Sequence, residues 1–335
     1  MPATIALGEG HLYERDFELE RIDAALAAAR RGNGGVLVVE GAAGIGKTSL
    51  GLAARLSATA AGMTVLTARG AGLERDFAWG VVRQWFSTEL AGLSPGERAD
   101  VLGGAAALAA DALGEPAPGA RAGPSLPGML HGRPWLIANL SQRAPVLLVL
   151  DDAHWADEPS LRLVSYLGAR APDLPVLVLV ATRPAAQGAA PHALAAVVSD
   201  PEAAVLRPAP LSEPAMQILV EERSGRKCDP DFARACRLAT GGNPFLLGEL
   251  VRALDEAGVT PRAEEADRVA GIRPRALSAA ILGRLPAESQ ALARAVAVLD
   301  VDAGLAAASE LAGLSVDAAT EAAAELTRAG LLEDR

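Results

Sequence analysis

The sequence predicts an α/β protein, with a mainly parallel β-sheet between helices over residues 1–209 and helices alone beyond them. Three observations lead there. The runs Val36-Leu37-Val38-Val39, Val146-Leu147-Leu148-Val149-Leu150 and Val176-Leu177-Val178-Leu179-Val180-Ala181 are apolar at every position, so both faces must be covered, as in parallel sheets. These runs alternate with segments of helical spacing, the order of a βαβ chain. Beyond Leu211 only helical periodicity remains.

Taken in order, Leu19, Ile22 and Leu26 recur at helical spacing, which predicts a charged amphipathic helix packed on the sheet edge. Gly32-Asn33-Gly34-Gly35 is a turn that delivers the chain into the first strand, and Met63–Ala68 reads as the second, with Gly70 to Gly72 as its exit. Phe77, Val81, Val82, Trp85, Phe86 and Leu90 predict a helix with one rich apolar face. Gly114 to Gly128, dense in Gly, Pro and Ala, predicts a surface loop, and Met129 to Arg143 a helix despite Pro134. Asp157-Glu158-Pro159-Ser160 looks like a helix start, with Leu161 to Ala169 as the crossover, and Ala204-Val205-Leu206 is a weaker strand that closes the sheet.

The helical remainder has its own punctuation. Ser212-Glu213-Pro214 starts a helix to about Arg223, Pro230-Asp231 one that ends at Gly241-Gly242, and Asn243-Pro244-Phe245 one that runs to about Ala257. Val259 to Arg268 is charged and aperiodic and reads as a linker. Short helices follow at Arg275 to Leu285, Pro286 to Leu299, Leu305 to Leu311 and Ala318 to Ala329. The last three have winged-helix lengths, with Gly330-Leu331-Leu332 leading into a wing. The expected domains are therefore 1–209, 210–258, and a linker with a winged-helix-like domain at 259–335 that is cut short.

Composition narrows the partners. A net charge of −10 disfavours a broad nucleic-acid or anionic-membrane surface, and the acidic balance from Ser309 to Glu325 disfavours DNA binding by the terminal helices. No apolar stretch reaches the ~18 residues that span a bilayer. Cys228 and Cys236 lie far from other ligand types, which gives no zinc spacing and makes a reduced, cytoplasmic protein the expectation.

The chemistry centres on Gly41-Ala42-Ala43-Gly44-Ile45-Gly46-Lys47-Thr48, which fits G-x-x-x-x-G-K-[ST] between a strand and a helix. Glycines let the backbone approach phosphates, successive N–H groups and the helix's positive end face the anion, and Ser49 continues the first turn. Lys47 adds a compact charge, and the Thr48 hydroxyl suits Mg²⁺. Lys47 and Lys227 are the only two lysines in a chain that otherwise uses arginine, so position 47 asks for an ammonium rather than a guanidinium.

About a hundred residues later the strand Val146–Leu150 ends in Asp151-Asp152, at the edge where open α/β sheets hold ligands. In this Walker B shape Asp151 holds Mg²⁺ and Asp152 orients the attacking water; the alternative is a pair of helix-capping acids. Arg183 ends the next strand, where it reaches a γ-phosphate or, alternatively, forms a surface salt bridge.

Together the Gly41–Thr48 loop, Leu150-Asp151-Asp152-Ala153-His154-Trp155-Ala156-Asp157, Thr182-Arg183-Pro184 and Thr240-Gly241-Gly242-Asn243-Pro244-Phe245 resemble the ATPase region of large ATP-binding LuxR-type transcriptional regulators, signal-transduction ATPases of the STAND class. The resemblance implies an AAA+/STAND-like P-loop sheet followed by a helical lid domain and a winged-helix-like domain, with ADP bound at rest. It further implies opening and self-association when ATP replaces ADP, and DNA binding only through a helix-turn-helix domain absent from this chain. By the same resemblance Arg15 lies near the nucleotide, Arg183 senses the γ-phosphate and Pro244 packs on the adenine. His154 and Trp155 are signature residues without an assigned role. Asp152 stands where many fast P-loop ATPases carry a glutamate; a carboxylate one methylene shorter aligns water less well, which predicts slow hydrolysis. The contrasting expectations are a catalytically silent ADP-binding scaffold and an ATPase subunit of another signalling protein.

Overall fold

The structure is a computed structural model that describes residues 12–71, 77–106, 135–184, 192–270, 282, 285–299, 305–328 and 332. The chain divides into two compact units, one of residues 1–41 and 47–207, the other of residues 42–46 and 208–335.

In the first unit five strands, β1 (Gly35–Glu40), β2 (Thr64–Arg69), β3 (Val146–Asp151), β4 (Val176–Thr182) and β5 (Ala204–Leu206), form one sheet in the order β2-β3-β4-β1-β5. Every pairing is parallel. The uniformly apolar strands bury both faces, and the two-residue period sorts their side chains. Val36, Val38, Val146, Leu148, Leu150, Val178 and Val180 enter one core with Trp85, Phe86, Leu161 and Val164. Leu37, Val39, Leu147, Val149, Leu177 and Leu179 enter the other, with Ile22, Leu26, Leu50 and Ala54.

Helices α1 (Asp16–Arg30) and α2 (Lys47–Ala60) therefore cover one face of the sheet, and α3 (Gly80–Gly92) and α5 (Glu158–Gly168) the other. Helices α4 (Pro95–Val101) and α6 (His192–Val198) complete this unit's labelled helices. The expected position of α1 at the sheet edge is corrected: Ile22, Leu26 and Ala29 are buried in the core that Leu37 and Val39 of β1 enter, because their spacing gives the helix a stripe wide enough to cover a face. Residues 135–141 are helical; the expected loop at Gly114 to Gly128 and the start of the helix expected from Met129 lie outside the described residues.

In the second unit α7 (Glu213–Ser224) is capped by Ser212, whose side chain accepts from Ala215 N. Helix α8 (Pro230–Thr240) ends on Gly241 in the left-handed conformation, and α9 (Pro244–Glu256) is capped by Asn243. The stretch Val259 to Arg268, expected as a linker, is instead partly helical, with a 3₁₀ turn at Ala263–Glu265 running into α10 (Ala266–Ala270). Asp229 explains the ordering: its N–H donates to Pro261 O at 2.9 Å and its carboxylate accepts from Ala263 N at 2.8 Å, while Val259 and Val269 are buried. Its charged residues simply face outward. Helices α11 (Ala287–Leu299), α12 (Leu305–Ala312) and α13 (Val316–Arg328) share a small core of Leu292, Ala319 and Leu326. The helix expected at Arg275 to Leu285 and the wing at Gly330-Leu331-Leu332 fall almost wholly outside the described residues.

Both cysteines are buried, Cys228 just before α8 and Cys236 within it. Burial, then Glu221 and Asp229, pushes the Cys228 thiol up to about 11; burial, then Cys228, pushes Cys236 up to about 12. The thiolate is the reactive form, so at pH 8 each thiol of the folded protein should react with a disulfide reagent at least ~100-fold more slowly than in denaturant, and faster as pH rises toward 11. Rapid titration of either thiol in the native protein at pH 8 would contradict this.

Candidate nucleotide-binding site

Because all five strands are parallel, β1, β3 and β4 present their C-terminal ends along one edge, and each ends in residues the sequence singled out. β1 leads into Gly41, whose N–H donates to Thr182 O at the end of β4 (3.1 Å). Lys47 opens α2, is only 6% exposed, and donates from Nζ to Gly41 O at 2.8 Å. Burial lowers its pKa; Asp152 and Asp151 oppose that, and Arg183 adds to it. One side chain thus feels three others that lie 100 or more residues away in sequence. Thr48 Oγ1 donates to Asp151 Oδ2 at 2.9 Å, which sets a hydroxyl beside a carboxylate, a pair of hard oxygen donors that fits Mg²⁺. Ser49 is half-buried in the same turn.

Asp151 Oδ1 accepts from Asp152 N at 2.9 Å. Asp152 has left-handed backbone angles (φ 48, ψ 45) and precedes a 3₁₀ turn at Ala153–Trp155 without a side-chain cap bond. Its Oδ2 accepts instead from Arg69 Nε at 2.9 Å and Arg69 Nη2 at 2.5 Å. Arg69 ends β2, directly opposite Asp151 in the β2–β3 register, and Gln84 of α3 holds its main chain: Arg69 N donates to Gln84 Oε1 (2.8 Å) and Gln84 Nε2 to Arg69 O (3.0 Å). The next residue, Gly70, lies so close to the acid-bearing turn that a Cβ would come within 2.3 Å of Asp152 O, so only glycine fits. Arg183 is half-buried after β4, and its charge bears on both Lys47 and His154.

The structure thus brings Gly41, Lys47, Thr48, Asp151, Asp152 and Arg183 to one edge of the sheet. Arg15 is buried at the start of α1, where Nη1 donates to Glu14 O at 2.8 Å; burial lowers its pKa against Glu18 and Glu14. The loop residues Ala42–Gly46 fall in the second unit, where Pro244 also lies. There Asn243 Oδ1 accepts from Phe245 N (3.0 Å) and Leu246 N (3.2 Å) while Nδ2 donates to Ala43 O at 2.8 Å. Gly44 has φ +75, and a Cβ on it would come within 2.8 Å of Asn243 Oδ1. The residue before Pro244 therefore both caps α9 and holds the loop.

The sequence reading missed Arg69, Gln84, the loop bond of Asn243 and a second role for Asp157. Strand register, which aligns Arg69 with Asp151, is a property of the folded sheet and leaves no mark at either position.

These elements, a phosphate loop after β1, a paired hydroxyl and carboxylate, and a second acid at one edge of a parallel sheet, define a P-loop nucleoside-triphosphatase site. Residues 11–180 match the family described as the AAA ATPase domain. The match covers half the chain, and the protein belongs to that family: it carries an ATP/ADP-binding P-loop ATPase domain of the AAA type. No curated protein matches it. Among solved structures the chain is similar to the ORC2 protein of Aeropyrum pernix in its ADPNP–ADP complexes, at 15% identity and TM-score 0.47, over 96% of this chain and 87% of that one. It is similar to Cdc6p of Pyrobaculum aerophilum, at 15% identity and TM-score 0.47, over 97% and 88%. It is also similar to a point variant of RuvB from Thermotoga maritima, at 14% identity and TM-score 0.42, over 94% and 88%. Among the described residues no helix is long and apolar enough to cross a membrane.

Proposed function

We propose that the chain is the ATP/ADP-binding switch module of a transcriptional regulator, in which slow, Mg²⁺-dependent hydrolysis controls opening and self-association. In this reading residues Gly41–Ser49 bind the phosphates, Thr48 and Asp151 hold Mg²⁺, Asp152 orients the attacking water and Arg183 meets the γ-phosphate. Arg15 and Pro244 flank the nucleotide. Residues 1–209 form the nucleotide-binding domain, 210–258 a helical lid and 259–335 a linker with a winged-helix-like domain. The setting is cytoplasmic, and any DNA contact is made by a helix-turn-helix domain outside these residues. The motif resemblance from Gly41 to Phe245 and the family match support this reading.

The observation that carries the switch is the grip of Arg69 on Asp152. Both bonds fall on Oδ2, and an oxygen held by two prongs of a guanidinium is offered to that partner rather than to water. The pair is also cheap to open, with side chains 52% and 21% exposed, and exposed ion pairs contribute only about 0–1 kcal/mol. A restraint of that size depresses the resting rate without abolishing it.

Arg69→Ala should accordingly raise steady-state phosphate release by up to ~5-fold, the factor that ~1 kcal/mol represents, while Asp152→Asn drops it to background. An Arg69→Ala rate at or below the parent's would sink the restraint. Equal background rates in the parent and Asp152→Asn would favour the silent ADP-binding scaffold.

A further inference from the structure

The turn that ends α8 is pinned by main-chain bonds within the second unit. Gly242 N donates to Arg237 O (3.2 Å), Asn243 N to Thr240 O (3.2 Å) and Leu211 N to Gly242 O (2.9 Å). Gly242 lies so close to the chain entering α7 that a Cβ would come within 2.7 Å of Leu211 O. The Asn243 side chain thus starts from a fixed main chain, and its Oδ1 is taken by Phe245 N and Leu246 N of the α9 cap. That cap needs only an oxygen, which serine or aspartate provides as well. The amide nitrogen is the part the cap does not use, and it reaches 200 residues back along the chain to donate to Ala43 O at 2.8 Å.

A second bond runs the same way. Phe245 N also donates to Gly44 O at 3.4 Å, so two successive carbonyls of the loop point at the start of α9. No peptide among the described residues is cis, and in a trans peptide the C=O and N–H point in opposite directions. Holding Ala43 O therefore turns the Gly44 N–H away from α9. The approach is close, since a Cβ on Gly44 would lie 2.8 Å from both Asn243 Oδ1 and Phe245 Cβ. A carbonyl oxygen facing a phosphate repels it, whereas N–H groups gathered on one side of a loop bind it.

We propose that Asn243 is a positioning residue for nucleotide binding: its amide nitrogen holds the Ala43 carbonyl away from the phosphates and so presents the Gly44 N–H to them. This rests on the reading of Gly41–Thr48 as the phosphate site and deepens it, by making the loop's shape depend on a side chain at the start of α9. Without the bond the loop must be ordered by the nucleotide itself, and that cost falls on affinity.

The test uses the full chain and separates the two halves of the side chain. Asn243→Ala removes both cap and loop bond. Asn243→Ser keeps the cap, but its hydroxyl is too short to reach Ala43 O, and Asn243→Asp keeps cap and shape while setting a carboxylate oxygen against that carbonyl. Thermal unfolding without nucleotide and calorimetric titration with Mg·ADP are measured for each. Asn243→Ala should lower the midpoint by about 2–4 °C, and Asn243→Ser and Asn243→Asp should recover most of that. Affinity for Mg·ADP should fall about 5-fold or more in all three, the size of one lost hydrogen bond, with no recovery in the two that restore the cap. Affinity within about 2-fold of the parent's in Asn243→Ser or Asn243→Asp overturns the proposal, because the cap alone would then matter. So does an affinity that recovers in step with the midpoint, the mark of a merely structural role. A parent that binds no Mg·ADP would instead refute the phosphate site itself, an outcome distinct from a parent and an Asn243→Ser variant that bind alike.

Discussion

A Lys47→Ala variant should fold and lose nucleotide. In the folded chain the Lys47 ammonium is buried and its pKa is lowered chiefly by desolvation, so without a bound anion it is held at a cost. Its bond to Gly41 O returns part of that cost. Truncation removes the buried charge and the bond together, and the midpoint of thermal unfolding without nucleotide should move by only a few degrees. Binding should suffer far more, because removing one partner of a desolvated charge pair costs about 2–5 kcal/mol. That corresponds to about 30-fold to several thousand-fold in the dissociation constant for Mg·ADP. The thermal shift that excess nucleotide gives the parent, about 2.7 kcal/mol of stabilisation at a hundred times the dissociation constant, should vanish at the same concentration. Lys47→Arg should resemble Ala rather than the parent, since a position only 6% exposed leaves little room for a planar guanidinium. Parent-like affinity in Lys47→Ala would mean that the phosphates bind elsewhere.

How much of this was legible beforehand depended on whether a feature is written in contiguous residues. The phosphate loop and the strands β1, β3 and β4 were legible, because a glycine pattern and unbroken apolar runs each carry their own physical cause. The weak strand Ala204–Leu206 was legible too, and pairing with β1 completes the sheet. What could not be read came from strand order and helix placement. With β4 between β1 and β3, Arg183 comes between the loop and the acids, while β2 on the far side of β3 delivers Arg69 to Asp152. Nothing in Leu66-Thr67-Ala68-Arg69 announces this, and an arginine at a strand end usually meets solvent. The stretch Val259 to Arg268 was misread for a related reason. Its periodicity is too short to register, and its order comes from Asp229, thirty or more residues upstream.

Asp157→Ala should be the most destabilising single change near the site. The sequence marks Asp157 only as a helix start, and it does cap α5, accepting from Ser160 N at 2.9 Å. In the fold it also reaches the start of α3, accepting from Trp79 N at 2.7 Å and Val81 N at 3.2 Å, with 1% of its surface exposed. One carboxylate thus satisfies three main-chain donors from two helices. Losing the cap costs about 0.5–2 kcal/mol, and each buried N–H left without an acceptor about 1–3 more. The total, on the order of 3–6 kcal/mol, is a large share of the 5–15 typical of native proteins and should lower the unfolding midpoint by about 10–20 °C. Asp157→Ser should restore the cap alone, since its hydroxyl is too short to reach α3. Asp157→Asn should also fall short of the parent, because its amide nitrogen would face a donor. Helix α3 holds Arg69 through Gln84 and β3 through the bond from Trp85 Nε1 to Val149 O (2.8 Å), whereas Lys47 and Thr48 belong to α2 on the opposite face of the sheet. Below its melting range the Asp157→Ala protein should therefore change its rate of hydrolysis more than its ADP affinity. A midpoint within about 3 °C of the parent's would show that the two helices do not depend on this carboxylate.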